Sequence, residues 1–246
     1  MSKDIQKLAN YIKISRNTVF FGGAGVSTES GIPDFRSETG LYAAQDVYGY
    51  PPEVLLSYSF FRQKPELFFR YYRENLIADV KPNPAHFALA KLESQGKLVA
   101  VITQNIDGLH QAAGSQNVLE LHGTNHHHYC MECAAKYTLD YILQQNIIPK
   151  CEKCGGIVRP DVVMYEEQLN NAVITASIKA IERAELLIVG GTSLAVYPAA
   201  GLIDYFTGDN LVLINKSATS RDNQAQFVIS GAIGEVMSAV MEIIGL

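Results

Sequence analysis

The chain has 246 residues, which is enough for one large domain or for one domain with a small insertion, and 48% of them are hydrophobic. A net charge of -5 with only 20 Lys and Arg argues against nucleic acid or an anionic membrane as the main partner. No apolar run approaches the ~20 residues of a membrane span, and the first four residues are too polar for a signal peptide. We therefore expect a cytoplasmic protein, whose four cysteines are metal ligands or reactive thiols rather than disulfides.

The N-terminal part predicts an amphipathic helix over residues 4–15 and a buried strand over residues 18–21. The strand runs directly into a glycine-rich turn at residues 22–27. Such a turn is typical of dinucleotide sites, because backbone N–H groups without neighbouring Cβ atoms can approach a pyrophosphate, although it is also found as a plain tight turn. Thr28 replaces the third glycine of the dehydrogenase fingerprint, so an ordinary hydride-transfer domain is not predicted.

A long irregular segment follows, from residue 31 to residue 50, and its aromatic and charged residues favour a functional lid over a linker. Helices are predicted over residues 52–58 and 65–79, the second with an aromatic face that we interpret as core packing. Asn83 and Pro84 predict the start of another helix, which Gly96 ends.

The apolar run at residues 98–102 predicts a strand buried on both faces of a parallel sheet. Two amides and a carboxylate follow it, at Gln104, Asn105 and Asp107. Since ligands bind beyond the carboxyl ends of strands in open α/β sheets, we expect these side chains to face a binding crevice.

Strand and helix patterns alternate through most of the remaining chain. Strands are predicted over residues 118–121, 162–164, 186–189 and 211–214, and helices over residues 172–183, 198–206 and 236–244. This alternation predicts an α/β fold with a doubly wound parallel sheet, interrupted by an insertion around the cysteines.

The cysteines form two Cys-x-x-Cys pairs, and 17 residues separate the pairs. This spacing is typical of a tetrahedral zinc site with Cys130, Cys133, Cys151 and Cys154 as ligands. Four thiolates leave no open position for water or substrate, so we expect a structural rather than catalytic ion. Redox dithiols and buried free cysteines are the alternatives, and we interpret His126, His127 and His128 as surface residues.

These motifs occur together with residues 31–36, His122-Gly123 and Gly191-Thr192-Ser193 in an order that closely resembles the sirtuin family of NAD-dependent protein deacylases. The resemblance covers nearly the full length and is to a compact bacterial member. It implies a Rossmann-like NAD-binding domain from residues 1–39, 81–122 and 161–246. It also implies a small domain made of a helical insertion at 40–80 and a zinc-binding insertion at 123–160.

The resemblance further implies the residues that bind NAD as co-substrate. They are Gly23, Ala24, Gly25, Thr28, Asp34, Phe35, Arg36, Gln104, Asn105, Ile106, Asp107, His122, Gly191, Thr192, Ser193 and Asn215. Asn215 has independent support, because it ends a predicted strand where a polar side chain can read ribose hydroxyls. His122, Asn105 and Asp107 would be catalytic. His122 would act as the base, because the unperturbed pKa of histidine lies near neutral pH.

On the substrate side, the resemblance implies a tunnel for acyl-lysine side chains of protein substrates. Its walls and edges would be Phe35, Val162, Val163, Tyr165, Glu167, Leu194 and Val196. One departure lies here, since Glu166 stands where the family usually has Gly. A left-handed backbone there would cost about 1–2 kcal/mol, and the added carboxylate would favour cationic peptides.

Members of the family that remove succinyl groups resemble one another in a Tyr followed three residues later by Arg. Here Asn75 follows Tyr72 at that spacing, so we expect removal of acetyl or longer apolar acyl groups. The leading hypothesis is a monomeric NAD-dependent protein-lysine deacylase, and a mono-ADP-ribosyltransferase on the same scaffold is the alternative. An NAD-binding sensor without turnover and a zinc hydrolase are the remaining hypotheses.

Overall fold

The computed structural model describes residues 3–34 and 47–246. The helices are α1 (Lys3–Ile14), α2 (Pro52–Leu55), α3 (Tyr58–Gln63), α4 (Pro65–Asn75), α5 (Pro84–Ser94), α6 (Leu109–Ala112), α7 (Leu139–Gln144), α8 (Asn171–Glu182) and α9 (Ile233–Ile244). The strands are β1 (Thr18–Gly22), β2 (Leu98–Thr103), β3 (Val118–Glu120), β4 (Gly123–Cys130), β5 (Lys136–Thr138), β6 (Val158–Val162), β7 (Leu186–Gly190), β8 (Asn210–Asn215) and β9 (Phe227–Ser230). Short 3-10 helices cover Ala24–Val26, Thr28–Ser30, Ala199–Tyr205 and Asp222–Gln224.

Six strands form one parallel sheet in the order β3-β2-β1-β7-β8-β9. β1, β2 and β7 are buried along nearly their whole length, as expected for a sheet covered by helices on both faces. The strand order reverses between β1 and β7, which is the topological switch point where open α/β folds bind their ligands. The predicted α/β fold with a Rossmann-like parallel sheet is confirmed.

A second sheet is antiparallel and has the order β5-β4-β6. β4 leaves the main sheet region directly after His122 and ends at Cys130. A separate apolar cluster packs against this part of the chain, and it includes Phe61, Phe68 and Tyr72 from the helical segment together with Cys130 and Cys151. The aromatic face predicted for α4 therefore lies in a core. The exact boundaries of the two domains stay a prediction.

The structure differs from the sequence prediction in several elements. The helix predicted over residues 52–58 is split, because the side chain of Ser57 accepts a hydrogen bond from the Phe60 N–H and so starts a new helix. The strand predicted over residues 162–164 is wrong, since Val162 ends β6 of the antiparallel sheet. β9 was missed, because its residues Phe227–Ser230 give only a short apolar run.

The helix predicted from Asn83 is confirmed, and its cap is complete. The Asn83 side chain accepts a hydrogen bond from the Ala85 N–H, and His86 Nδ1 accepts one from the Asn83 N–H. Both side chains are buried. This cap places the first turn of α5 against the turn after β1, because Asn83 Nδ2 also donates to the Val26 carbonyl at 2.7 Å.

Candidate active site

The glycine-rich turn after β1 packs directly on the turn after β7. The Gly25 N–H donates to the Gly191 carbonyl at 2.8 Å. A Cβ atom on Gly25 would lie 2.7 Å from the Gly191 Cα, and one on Gly23 would lie 2.9 Å from the Thr192 Cβ. Gly191 itself has φ of 59°, in the left-handed region that favours glycine. The glycines therefore bring two strand ends together at the switch point, which is where a dinucleotide would bind.

Thr192 is held by one side chain from the end of β8 and by another that follows β2. Its N–H donates to Asn215 Oδ1 at 3.0 Å, and Asn215 Nδ2 donates back to its carbonyl at 3.1 Å. Its Oγ1 accepts a hydrogen bond from Gln104 Nε2 at 3.0 Å. Asn215 thus fixes the Thr192 backbone, and Gln104 at the end of β2 is joined to the turn after β7.

The polar residues after β2 converge on Ser27. Asn105 Nδ2 donates to Ser27 Oγ at 3.0 Å, and Ser27 Oγ donates to Asp107 Oδ2 at 2.7 Å. The other carboxylate oxygen of Asp107 accepts from the Leu109 N–H at 2.9 Å. Three of the residues implied as NAD ligands, Gln104, Asn105 and Asp107, are half-buried at this sheet edge, as the strand pattern predicted.

Ser27 is a site residue that the sequence interpretation missed. Ser27 is 1% exposed and links the side chains of Asn105 and Asp107. Asp107 lies 80 positions after Ser27 in the sequence. Its place in the glycine-rich turn was a signal, but the sequence alone does not show which distant polar group a turn hydroxyl meets.

His122 is half-buried and follows the turn after β3. Its Nδ1 lies 2.9 Å from the Gln104 carbonyl oxygen, and because a carbonyl only accepts, Nδ1 carries the proton and donates. Nε2 is therefore the nitrogen with a free lone pair. Burial lowers the pKa of His122 below its usual value, and the hydrogen bond to Gln104 opposes this shift in part.

The residues implied as the acyl-lysine wall adjoin His122. The Val163 N–H donates to the His122 carbonyl at 2.9 Å, and Val162 pairs with Gly123. Tyr165 is 39% exposed, and its backbone pairs with Leu56 and Tyr58 of the helical segment. Val162, Val163 and Tyr165 thus lie in one stretch that begins beside the candidate base.

The other implied substrate residues lie in different surroundings. Both Glu167 carboxylate oxygens accept from Arg159, at 2.6 and 2.7 Å, so this side chain is held in an ion pair. Leu194 is 2% exposed with φ of 52°, and Val196 is half-buried in the segment after it. Phe35 and Arg36 lie outside the described residues.

The four cysteines converge as their spacing predicts. Their Sγ atoms all lie within 4.8 Å of one another, with Cys130 to Cys154 at 3.4 Å and Cys133 to Cys151 at 3.5 Å. A tetrahedral zinc with Zn–S bonds of about 2.3 Å places its sulfur atoms about 3.8 Å apart, whereas a disulfide requires about 2.05 Å. The set therefore fits one structural zinc ion. The Tyr137 hydroxyl donates to Cys151 Sγ at 3.1 Å, a hydrogen bond that would orient this sulfur toward a bound metal ion.

The three histidines that precede the first cysteine pair differ in their exposure to solvent. His126 and His127 are exposed, as expected, but the prediction that His128 is a surface residue is wrong, because it is 1% exposed. Tyr72 explains this burial, since its hydroxyl lies 3.0 Å from His128 Nε2 and 3.0 Å from Asn125 Oδ1. The ring of His128 packs edge-on against Tyr72 of the apolar cluster, so it is a packing residue rather than a metal ligand.

Residues 23–198 match the Sir2 family, which covers well over half of the chain. The chain belongs to this family. It is 59% identical over 239 residues to a curated NAD-dependent protein deacetylase of Clostridium acetobutylicum, with 96% of this chain and 98% of the relative covered. The resemblance to sirtuins is thereby confirmed.

Solved Sir2 structures are also similar over almost the whole chain. A Sir2 protein solved with a p53 peptide and NAD+ has a TM-score of 0.87 and 40% identity, and the match covers 100% of this chain and 99% of that one. Another, solved with deacetylated p53 peptide and 3'-O-acetyl ADP ribose, has a TM-score of 0.89 and 39% identity, with 97% of each chain covered. Within residues 3–34 and 47–246, no helix has the length and apolar character needed to cross a bilayer.

Proposed function

We propose that this Sir2-family chain is an NAD-dependent protein-lysine deacetylase that produces nicotinamide, O-acyl-ADP-ribose and free lysine. The observation that carries the proposal is the meeting of His122, Gln104, Asn105 and Asp107 at the switch point of the parallel sheet. Full-length similarity to deacetylases, and to a Sir2 protein solved with a p53 peptide and NAD+, supports the same activity.

The residues after β2 would hold the nicotinamide end of NAD. When bound, NAD supplies an electrophilic ribose carbon that can accept the amide oxygen of an acyl-lysine. Asp107 would accept a hydrogen bond from the nicotinamide carboxamide, and Asn105 would order a ribose hydroxyl or water. The network through Ser27 supports these roles, because it fixes both side chains before NAD arrives and so reduces the ordering cost of binding.

The glycine turns and the segment around Thr192 would bind the phosphates and adenosine. The described members of this set are Gly23, Ala24, Gly25, Thr28, Asp34, Gly191, Thr192, Ser193 and Asn215, whereas Ile106 would lie with Asp107 at the nicotinamide carboxamide. Phe35 and Arg36 are proposed for the same cofactor on the strength of the motif alone.

His122 would remove a proton from a ribose hydroxyl through Nε2. Its geometry supports this role, because Nδ1–H is fixed by the Gln104 carbonyl and the pKa of the ring is lowered, so the neutral base predominates at pH 7. Activity should therefore be present above pH 6.5 and should fall at lower pH, as the pKa of His122 is approached. His122→Ala should abolish release of free lysine while retaining some exchange of nicotinamide.

Apolar acyl groups are the substrates that the described residues favour. Tyr72 is 1% exposed and its hydroxyl is held by Asn125 and His128, so it is poorly placed to bind a distal carboxylate. The implied wall residues Val162 and Val163 are apolar. We infer that acetyl-lysine is preferred over succinyl-lysine.

One assay tests these proposals. Acetyl-lysine and succinyl-lysine peptides are incubated with wild-type chain or His122→Ala, with and without NAD labelled in the adenosine half. The proposed activity requires NAD-dependent release of free lysine, with label in O-acetyl-ADP-ribose and a higher kcat/KM for acetyl-lysine. Label on protein would favour the mono-ADP-ribosyltransferase, and turnover without NAD would overturn both. A monomeric state and a cytoplasmic location are inferred from the sequence alone.

A further inference from the structure

The start of strand β4 lies against the polar loop that follows β2. The Asn125 N–H donates to the Ile106 carbonyl at 2.9 Å. His126 Nε2 lies 3.0 Å from the Asp107 carbonyl oxygen, and because that oxygen only accepts, Nε2 carries a proton and donates. Two consecutive residues of β4 thus donate hydrogen bonds to the carbonyl groups of two consecutive residues of the loop.

The imidazole of His126 also lies directly over Gly108. A Cβ atom on Gly108 would be 2.2 Å from His126 Nε2 and 2.4 Å from Cδ2, and Gly108 has φ of 71°. Only glycine leaves room for the ring at this distance and adopts this backbone conformation without strain. The contact between His126 and the loop is therefore close-packed as well as hydrogen-bonded.

We propose that His126 is a positioning residue for Asp107, the carboxylate assigned to the nicotinamide end of NAD. The Asp107 carboxylate is held by Ser27 and by the Leu109 N–H, and His126 holds its backbone carbonyl. Side chain and main chain of Asp107 are then fixed from three different elements. This inference rests on the proposed function and deepens it.

The role requires an N–H donor, which His126 Nε2 supplies to the Asp107 carbonyl. A glutamine side chain has an amide N–H at a similar reach, whereas alanine has no donor. His126→Gln is therefore the conservative variant, and His126→Ala removes the interaction.

The next residue provides a matched control. His127 is also an exposed histidine of β4, but it pairs with Thr138 of β5. Its side chain makes no hydrogen bond within the described ranges 3–34 and 47–246. His127→Ala removes the same side chain from the same strand without touching the loop.

The experiment measures NAD binding by calorimetry and the KM values for NAD and for acetyl-lysine peptide. His126→Ala should raise the Kd and KM for NAD about two- to tenfold, the effect of one lost hydrogen bond, with the KM for peptide unchanged. His126→Gln should recover most of the affinity, and His127→Ala should resemble wild type. The proposal is overturned if His126→Ala binds NAD like wild type, if it changes both KM values equally, or if glutamine rescues nothing.

Two results separate this inference from the proposed function. A wild-type chain that binds NAD but releases no free lysine disproves the deacetylase proposal, whereas the calorimetric comparison still decides the role of His126. A wild-type chain that binds no NAD overturns both. Equal unfolding temperatures of His126→Ala and His127→Ala show that any difference in NAD affinity is local.

Discussion

At the scale of single residues, Glu166 stands at a position where the resemblance predicts glycine. Its φ is 77°, so the position does adopt the left-handed backbone that glycine favours, at a cost of about 1–2 kcal/mol for another residue. Its carboxylate accepts from the N–H and from Oγ of Ser59, both at 2.8 Å, in the first turn of α3. Such a cap contributes about 1 kcal/mol, which offsets much of the backbone strain.

The charge of Glu166 should influence which peptides are used. The side chain is exposed next to Tyr165, a residue proposed for the acyl-lysine wall. Glu166→Gln retains an oxygen that can accept from Ser59 and removes the charge. We expect the ratio of kcat/KM for a peptide with flanking lysines to that for a neutral peptide to fall about two- to fivefold, as for an exposed ion pair.

The control for this comparison is Glu182→Gln, which removes the same charge from the exposed end of α8. It should leave the ratio at the wild-type value. An unchanged ratio in Glu166→Gln would mean that the carboxylate serves only to cap α3.

At the scale of elements, the sequence predicts well those features that depend on local pattern. Strands β1, β2, β7 and β8 of the main sheet are continuous apolar runs, and the cap at Asn83 is a local signal, so both could be predicted. The sheet to which Val162 belongs could not be predicted, because its apolar residues fit either sheet. The choice depends on pairing with Gly123 of β4. The contacts of Ser27 and His126 join residues about 80 and 20 positions apart and likewise lie outside any local pattern.

The zinc-binding element should be stabilised by its metal and should not take part in the chemistry. Cys130 and Cys151 belong to the same buried cluster as Phe61 and Phe68, so loss of the ion should also loosen the helical segment. Cys130→Ala should bind less than one zinc per chain and lose several kcal/mol of unfolding free energy. Zinc content, denaturant unfolding and proteolysis measure these effects.

Glu132→Ala is the matched control, because this exposed residue lies between two cysteines of one pair. It should retain zinc and stability. A Cys130→Ala chain with wild-type stability and activity but without zinc would show that the metal has no structural role.

At the scale of the whole molecule, three imidazoles lie inside the fold. His86, His110 and His128 are 0%, 1% and 1% exposed. Burial lowers the pKa of all three, for His110 to about 3 and for His128 to about 4. Neither ring nitrogen of His110 has a hydrogen-bond partner among the described residues, so this ring is stable inside the protein only while neutral.

The stability of the chain should therefore fall as the pH decreases below 6.5. In this range the unfolded chain binds protons at these histidines and the folded chain does not, because the folded pKa values are lowered. Each histidine contributes up to about 1.4 kcal/mol per pH unit between its unfolded pKa and its folded pKa. For His110 this interval extends from pH 6.5 to about 3. The measurement is the unfolding free energy in urea at several values from pH 7.5 to 5.

The variant His110→Phe measures the contribution of His110 to the pH dependence of the unfolding free energy. The apolar ring fits the contact with Phe20 and with His86 and does not titrate, so the slope of stability against pH should decrease by up to about 1.4 kcal/mol per unit. Loss of zinc at low pH affects both chains and cancels in the comparison. Equal slopes in His110→Phe and wild type would show that His110 binds its proton in the folded protein as readily as in the unfolded chain.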